Sequence, residues 1–159
     1  MLEIFVDADA CPVKQEVDRV ANRHQLTVHM VSNGGMRPRA HPRFHHVTVA
    51  EVADAADNWI AERIEMFDIA VTADVPLASL CLKKKASVIG PSGQLFTPDS
   101  IGTALGMRDL HRHLREATGK ETIHAGFTKK DRARFLGTLE NEIQAIKRRL
   151  ASANPPKLS

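Results

Sequence analysis

Short apolar runs alternate along the chain with stretches whose apolar residues recur at helical spacing. Leu2 to Val6 predicts a buried strand that ends in Asp7-Ala8-Asp9. Val13, Val17, Val20 and Ala21 form one stripe and predict a helix over Pro12 to His24, with Pro12 and Asp9 as start signals. Leu26 to Val31 alternates as a second strand, broken by Ser32-Asn33-Gly34-Gly35. A loop follows whose glycines and prolines oppose regular structure, and Phe44 to Val49 predicts a third strand. Glu51 to Phe67 predicts a second helix with Val52, Ala56, Trp59, Ile60 and Ile64 inward. Ile69 to Ala73 reads as a fourth strand buried on both faces, ending at Asp74. Pro76 opens a helix to about Lys85 with Leu77, Leu80 and Cys81 inward, and Ser87 to Ile89 is a short fifth strand before the turn Gly90-Pro91-Ser92-Gly93. Helices are then expected from Pro98 to Ala117 and from Thr128 to Leu150, the latter opened by the capping box Thr128-Lys129-Lys130-Asp131. Its inward stripe is Leu136, Leu139, Ile143, Ile146 and Leu150, and residues 151–159 are expected to be a disordered tail.

This order implies a mostly parallel sheet with helices on both faces, in one domain over residues 1–159 with a C-terminal helical appendage over 98–150. The length suits a single core. No apolar run approaches a bilayer span, no export signal precedes the first strand, and two cysteines are too few for a disulfide framework. A cytoplasmic protein with no membrane association is therefore the expectation. Charge is uneven: residues 1–107 carry a net −3 and residues 108–159 a net +6. An acidic body with a basic C-terminal segment fits a metal site beside a surface that attracts polyanions.

Asp7 and Asp74 each end an apolar strand, so both belong on the carboxyl rim of a parallel sheet, where open α/β folds place their chemistry. Asp9 shares Asp7's side if the strand persists. Asp54 and Asp57 share a helix face, and that helix leads into the strand ending at Asp74. Convergent carboxylates repel unless one keeps its proton or a cation sits between them, and hard oxygen donors select Mg²⁺ or Mn²⁺. Helix capping by Asp9 or Asp74, and solvation of Asp54 and Asp57, are the structural alternatives. Arg37, Arg39 and Arg43 on the basic loop, and Lys14, are candidates for gripping phosphates. Cys11 lacks a fixed histidine partner, and His45-His46 point to opposite strand faces, which disfavours a zinc site.

The segments Val6-Asp7-Ala8-Asp9-Ala10-Cys11-Pro12-Val13-Lys14 and Asp54-Ala55-Ala56-Asp57-Asn58-Trp59-Ile60 resemble the signature of the YaiI/YqxD family of bacterial proteins. So do Asp68 to Ala78, Asp99-Ser100-Ile101-Gly102, Arg108-Asp109-Leu110 and Asp131 to Leu136. That family is placed with the PIN-like and NYN nucleases. The resemblance implies a PIN-like three-layer α/β/α fold with a mostly parallel five-stranded sheet, ordered 3-2-1-4-5, plus C-terminal helices. It also implies acids at Asp7, at Asp57 rather than Asp54, and at Asp74, with Thr72-x-Asp74 matching the superfamily's Thr-x-Asp. The chain departs from its relatives at Ile123-His124-Ala125-Gly126-Phe127, where many have a Gly-Gly-Pro loop.

The leading expectation is a Mg²⁺- or Mn²⁺-dependent nuclease on RNA. Asp7, Asp9, Asp57 and Asp74 would hold metal and position water, and Lys14, Arg37, Arg39, Arg43 and Thr72 would contact substrate. With 4% aromatic residues and no Tyr, stacking-based sequence readout is disfavoured. The alternatives are a non-catalytic nucleic-acid- or protein-binding module, and a phosphatase with Asp7 as nucleophile and Asp9 as acid/base.

Overall fold

Ile4 and Val6 point to one side of the first strand and Phe5 to the other, and all three are buried. A strand of this kind needs cover on both faces, and the computed structural model supplies it in three layers. The structure describes residues 2–9, 11–34, 41–52, 54–102 and 127–153. The strands are β1 (Glu3–Asp7), β2 (Thr27–Ser32), β3 (Phe44–Thr48), β4 (Ile69–Val71), β5 (Ser87–Ile89) and β6 (Leu95–Phe96). The helices are α1 (Lys14–His24), α2 (Ala55–Arg63), α3 (Val75–Lys83) and α4 (Lys129–Ala153), and residues 98–102 are also helical. The sheet order is β3-β2-β1-β4-β5-β6, parallel except for the last pair. This is the order implied by the resemblance with one strand added, and it is consistent with a PIN-like α/β/α fold.

One face of the sheet buries Ile4, Val6, Val28, Met30, Ile69 and Val71 against α1 and α4. The other buries Phe5, Val31, Ala70 and Val88 against α2 and α3. Each helix presents a stripe to its face: Val13, Val17, Val20 and Ala21 from α1, and Phe135, Leu139, Ile143 and Ile146 from α4. The fully buried Phe135 lies outside the stripe expected for α4, one residue before Leu136, which is only partly buried.

α4 lies alongside α1 and runs in the same direction. Arg132 near its start contacts Glu16, whereas Glu140 and Lys147 further along contact His24 at the end of α1, at 2.5 and 2.9 Å. Both helices therefore begin at the carboxyl end of β1.

Several expected elements differ in extent. α2 begins at Ala55 rather than Glu51, because Asp54 adopts a left-handed conformation (φ 66) that a helix interior does not accommodate. Val52 is consequently 64% exposed instead of inward. α2 stops at Arg63, where Ile64 turns extended and the Asp68 carboxylate accepts from the Glu65 amide. Leu80 is 44% exposed, since α3 turns Leu77, Ala78 and Cys81 to the sheet. α4 continues to Ala153. The capping box forms, with Asp131 accepting from the Thr128 amide and Thr128 Oγ1 from the Asp131 amide. The helix expected over 98–117, the loop after it, Arg37, Arg39 and residues 154–159 lie partly or wholly outside the described residues. Among those described, no helix is long and apolar enough to cross a membrane.

Candidate acid cleft at the carboxyl rim

β1 and β4 are parallel neighbours, with Val6 opposite Val71. One step further, Asp7 and Thr72 leave the ladder together, both toward the α2/α3 side. Thr72 is buried and its Oγ1 donates to Asp7 Oδ2 at 3.0 Å. The same Oγ1 accepts from the Asp74 amide at 3.0 Å. Asp74 caps α3, its Oδ1 accepting from the Leu77 amide at 2.8 Å, with Pro76 in the first turn. The capping role considered for Asp74 is therefore real, and it fixes the carboxylate on the rim beside Asp7.

Asp57 enters from α2, one residue after the buried Ala56 that seats the helix on the sheet. It lines the same cleft as Asp7 and Asp74. Burial, followed by the charges of Asp74, Asp7 and Asp54, pushes its pKa up to about 6. The Asp7 carboxyl is also raised, first by burial and then by Asp74 and Asp9, with the Thr72 hydroxyl pulling the other way.

These acids line a cleft of about 460 Å³. Its walls carry Asp7, Asp9, Glu51, Asp54, Asp57 and Asp74, with no Lys, Arg or His among the described lining residues. Glu51 escaped the sequence reading. Its signal was topological, because it follows β3 and so reaches the same rim as the other strand ends. Asp54 and Asp57 both line the cleft, which joins the two alternatives for the helix acid.

Asp9 behaves differently from Asp7. The strand ends at Asp7, and both Asp9 carboxylate oxygens accept from the Asn33 amide, at 3.1 and 3.0 Å. Its carboxylate latches the segment after β2 to the segment after β1. It does not cap α1, which has no side-chain cap.

By chemistry the cleft fits a hard divalent cation: oxygen donors only, excess negative charge, and carboxyls whose pKa values are raised first by burial and then by one another. Asp7, Asp57 and Asp74 are the residues that would hold it. As placed, no three His, Cys, Asp or Glu side chains among the described residues are grouped to ligate one ion.

The basic candidates separate. Lys14 lies at the same end of the sheet, in a second cleft of about 500 Å³ with Cys11, Pro12, Gln15, Glu16 and Arg132. Arg43 lies at the opposite end. Phe44 pairs with Val28 and Thr48 with Ser32, so Arg43 is roughly 15 Å along the strand from the rim. There it donates to Asn22 of α1 at 3.1 Å.

Comparison with known proteins agrees with the motifs. Residues 5–145 match the family described as "Uncharacterized BCR, YaiI/YqxD family". A UPF0178 protein of Parvibaculum lavamentivorans is 55% identical over 149 residues, covering 94% of this chain and 98% of the relative. A UPF0178 protein of Rhodospirillum rubrum is 55% identical over 148 residues, covering 92% and 99%. One from Mesorhizobium japonicum is 49% identical over 152 residues, covering 96% of each. No solved structure matches. With relatives this similar along nearly their whole length, and a family match that takes in the acid cleft and most of α4, the chain belongs to the YaiI/YqxD (UPF0178) family.

Proposed function

We propose that the protein is a divalent-metal-dependent nuclease acting on RNA, with Asp7, Asp57 and Asp74 as the acids that hold the cation. The observation that carries this reading is the cleft itself. Six acids line it without a basic residue among the described lining, and burial, followed by the charges of Asp74, Asp7 and Asp54, pushes the Asp57 pKa up to about 6. A phosphodiester would be repelled from such a cleft, and a bound Mg²⁺ or Mn²⁺ would reverse that repulsion and supply an activated water. The chain's own contribution is orientation. Thr72 fixes the rotamer of Asp7, the α3 cap fixes Asp74, and Asp57 can exchange a proton with the cleft near neutrality. A phosphatase with an aspartyl nucleophile is less supported: no lysine is among the described lining residues, and Asp9 is engaged by Asn33. The binding-module reading draws on one observation, that no three acids are yet grouped around a single point.

The test is Mn²⁺ calorimetry on the wild type and Asp7→Asn, followed by cleavage of a labelled RNA with and without metal. Saturable binding and cleavage, both lost in the folded variant, support the nuclease. Equal behaviour of the two proteins, or no metal uptake by either, overturns it.

A further inference from the structure

The acid cleft has a basic neighbour. Because α1 and α4 run parallel, their first turns meet beside the carboxyl end of β1, where Lys14 and Arg132 line one cleft and Lys129 and Lys130 lie in the same turn of α4 as Arg132, while Arg134 packs against Gly93 of the β5–β6 turn. Glu16 and Asp131 are the acids within the same turns. Arg132 is held there by three contacts. It donates to the Pro12 carbonyl at 2.8 Å and to Glu16 Oε1 at 3.2 Å, and its guanidinium lies 4.9 Å over the Phe127 ring. Its side chain still remains 43% exposed. Lys129 and Lys130 are exposed and form no ion pair among the described residues. They stand between the two partners of the capping box, so their backbone is fixed. The buried Cys11, four residues after Asp7, lines the cleft that holds Lys14 and Arg132.

We propose that this shoulder, formed by the first turns of α1 and α4, holds the sugar-phosphate backbone of a single-stranded RNA segment that leaves the acid cleft across Pro12. The inference rests on the nuclease reading for the identity of the polyanion and adds where its flanking phosphates lie. A strand with one phosphate at the acids needs its neighbours neutralised, and among the described residues the shoulder is a cationic surface at the same end of the sheet as that cleft. Arg43 is at the far end of the sheet and tied to Asn22. The contacts are to phosphate, so affinity depends on salt and little on sequence.

The experiment is fluorescence anisotropy of a labelled single-stranded RNA oligonucleotide, in EDTA, across a salt series. It compares the wild type, Lys129→Ala/Lys130→Ala, and Arg148→Ala/Arg149→Ala at the other end of α4. Both variants lose the same charge, so only position distinguishes them. The shoulder variant is expected to bind about tenfold more weakly, with the salt slope shallower by roughly 1.4 for two lost phosphate contacts. The far-end variant is expected to stay within about twofold of the wild type. Equal losses in the two variants, an unchanged shoulder variant, or a wild type that does not bind RNA overturns the proposal. Metal uptake is titrated separately. A shoulder that fails while Mn²⁺ binding and cleavage persist leaves the nuclease reading standing, and RNA held by the shoulder without metal-dependent cleavage removes that reading alone.

Discussion

The Thr72 hydroxyl stands 3.0 Å from Asp7 Oδ2 and donates to it across the β1–β4 boundary, while accepting from the Asp74 amide two residues on. One oxygen thus holds the acid that ends one strand and the acid that opens the next helix. Thr72→Val keeps the shape and removes both bonds. It is expected to cost about 1–2 kcal/mol, chiefly from the stranded amide, and to raise the Asp7 pKa further. Thr72→Ser restores both bonds. Urea unfolding at pH 7.5 checks this, and a Val variant as stable as the wild type would show that the hydroxyl does not organise the site.

Asp57 gives the pH dependence a definite sign. Its folded pKa of about 6 lies above the ordinary 3.8, so the folded state binds more protons between those values. Stability therefore falls as pH rises through that window, and the cost is complete above it. With Asp57 only partly buried, solvent screening reduces the cost to about 1 kcal/mol. In EDTA, Asp57→Asn should melt higher than the wild type at pH 7.5 and no higher near pH 3.5. The loss of a favourable charge in the first turn of α2 works against this gain and is smaller. A variant that melts lower at pH 7.5 would contradict the assignment.

Asp9 is expected to tolerate Asn and not Ala. An asparagine oxygen still accepts from the Asn33 amide, whereas alanine leaves that amide without its partner. Asp9→Asn should retain Mn²⁺ affinity within about threefold and Asp9→Ala should cost about 1 kcal/mol of stability, as for a lost hydrogen bond. The amide exchange rate of Asn33 reports the latch directly. Parallel losses of metal affinity in the two variants would make the charge, and not the latch, the function of Asp9.

Gly93 sits at φ 92, and a Cβ there would lie 2.5 Å from Arg134 Cγ and 2.8 Å from the Arg134 backbone carbon. The Gly93 carbonyl also accepts from Thr138 Oγ1 at 2.9 Å, joining the β5–β6 turn to α4. Gly93→Ala combines an unfavourable dihedral with a backbone clash and should destabilise by about 2 kcal/mol. Thermal melting checks it, and an unchanged midpoint would mean that α4 can shift away from the turn at no cost.

The layers were legible because β1 and β4 read as apolar runs, β2 alternates, and the stripes of α1 and α4 repeat at helical spacing. β6 was not, since Leu95–Phe96 is too short to show a period and is defined only by pairing with β5. Val52 fitted the stripe of α2 on spacing alone, but the left-handed Asp54 ends the helix before reaching it, and no local pattern marks that conformation. At the site, Asp7 and Asp74 were legible from their positions at strand ends. Asp9 shares the motif and lines the same cleft, and its bond to the Asn33 amide was not legible because it depends on where β1 ends. Arg43 immediately precedes the parallel strand β3, so strand direction puts it at the rim opposite Asp7, by the same topological signal that brings Glu51 to the cleft.

The pairing of α1 with α4 also sets an order of events during synthesis. Arg132 meets Pro12 and Glu16, and Glu140 meets His24, across separations of 120 and 116 residues. The ribosome delivers Val13, Val17 and Val20 early and Phe135, Leu139, Ile143 and Ile146 near the end. A nascent chain that has emerged only as far as β6 must therefore wait with one face of its sheet uncovered by α4, a sticky surface of the kind chaperones recognise. Closure of that face is a late and non-local step.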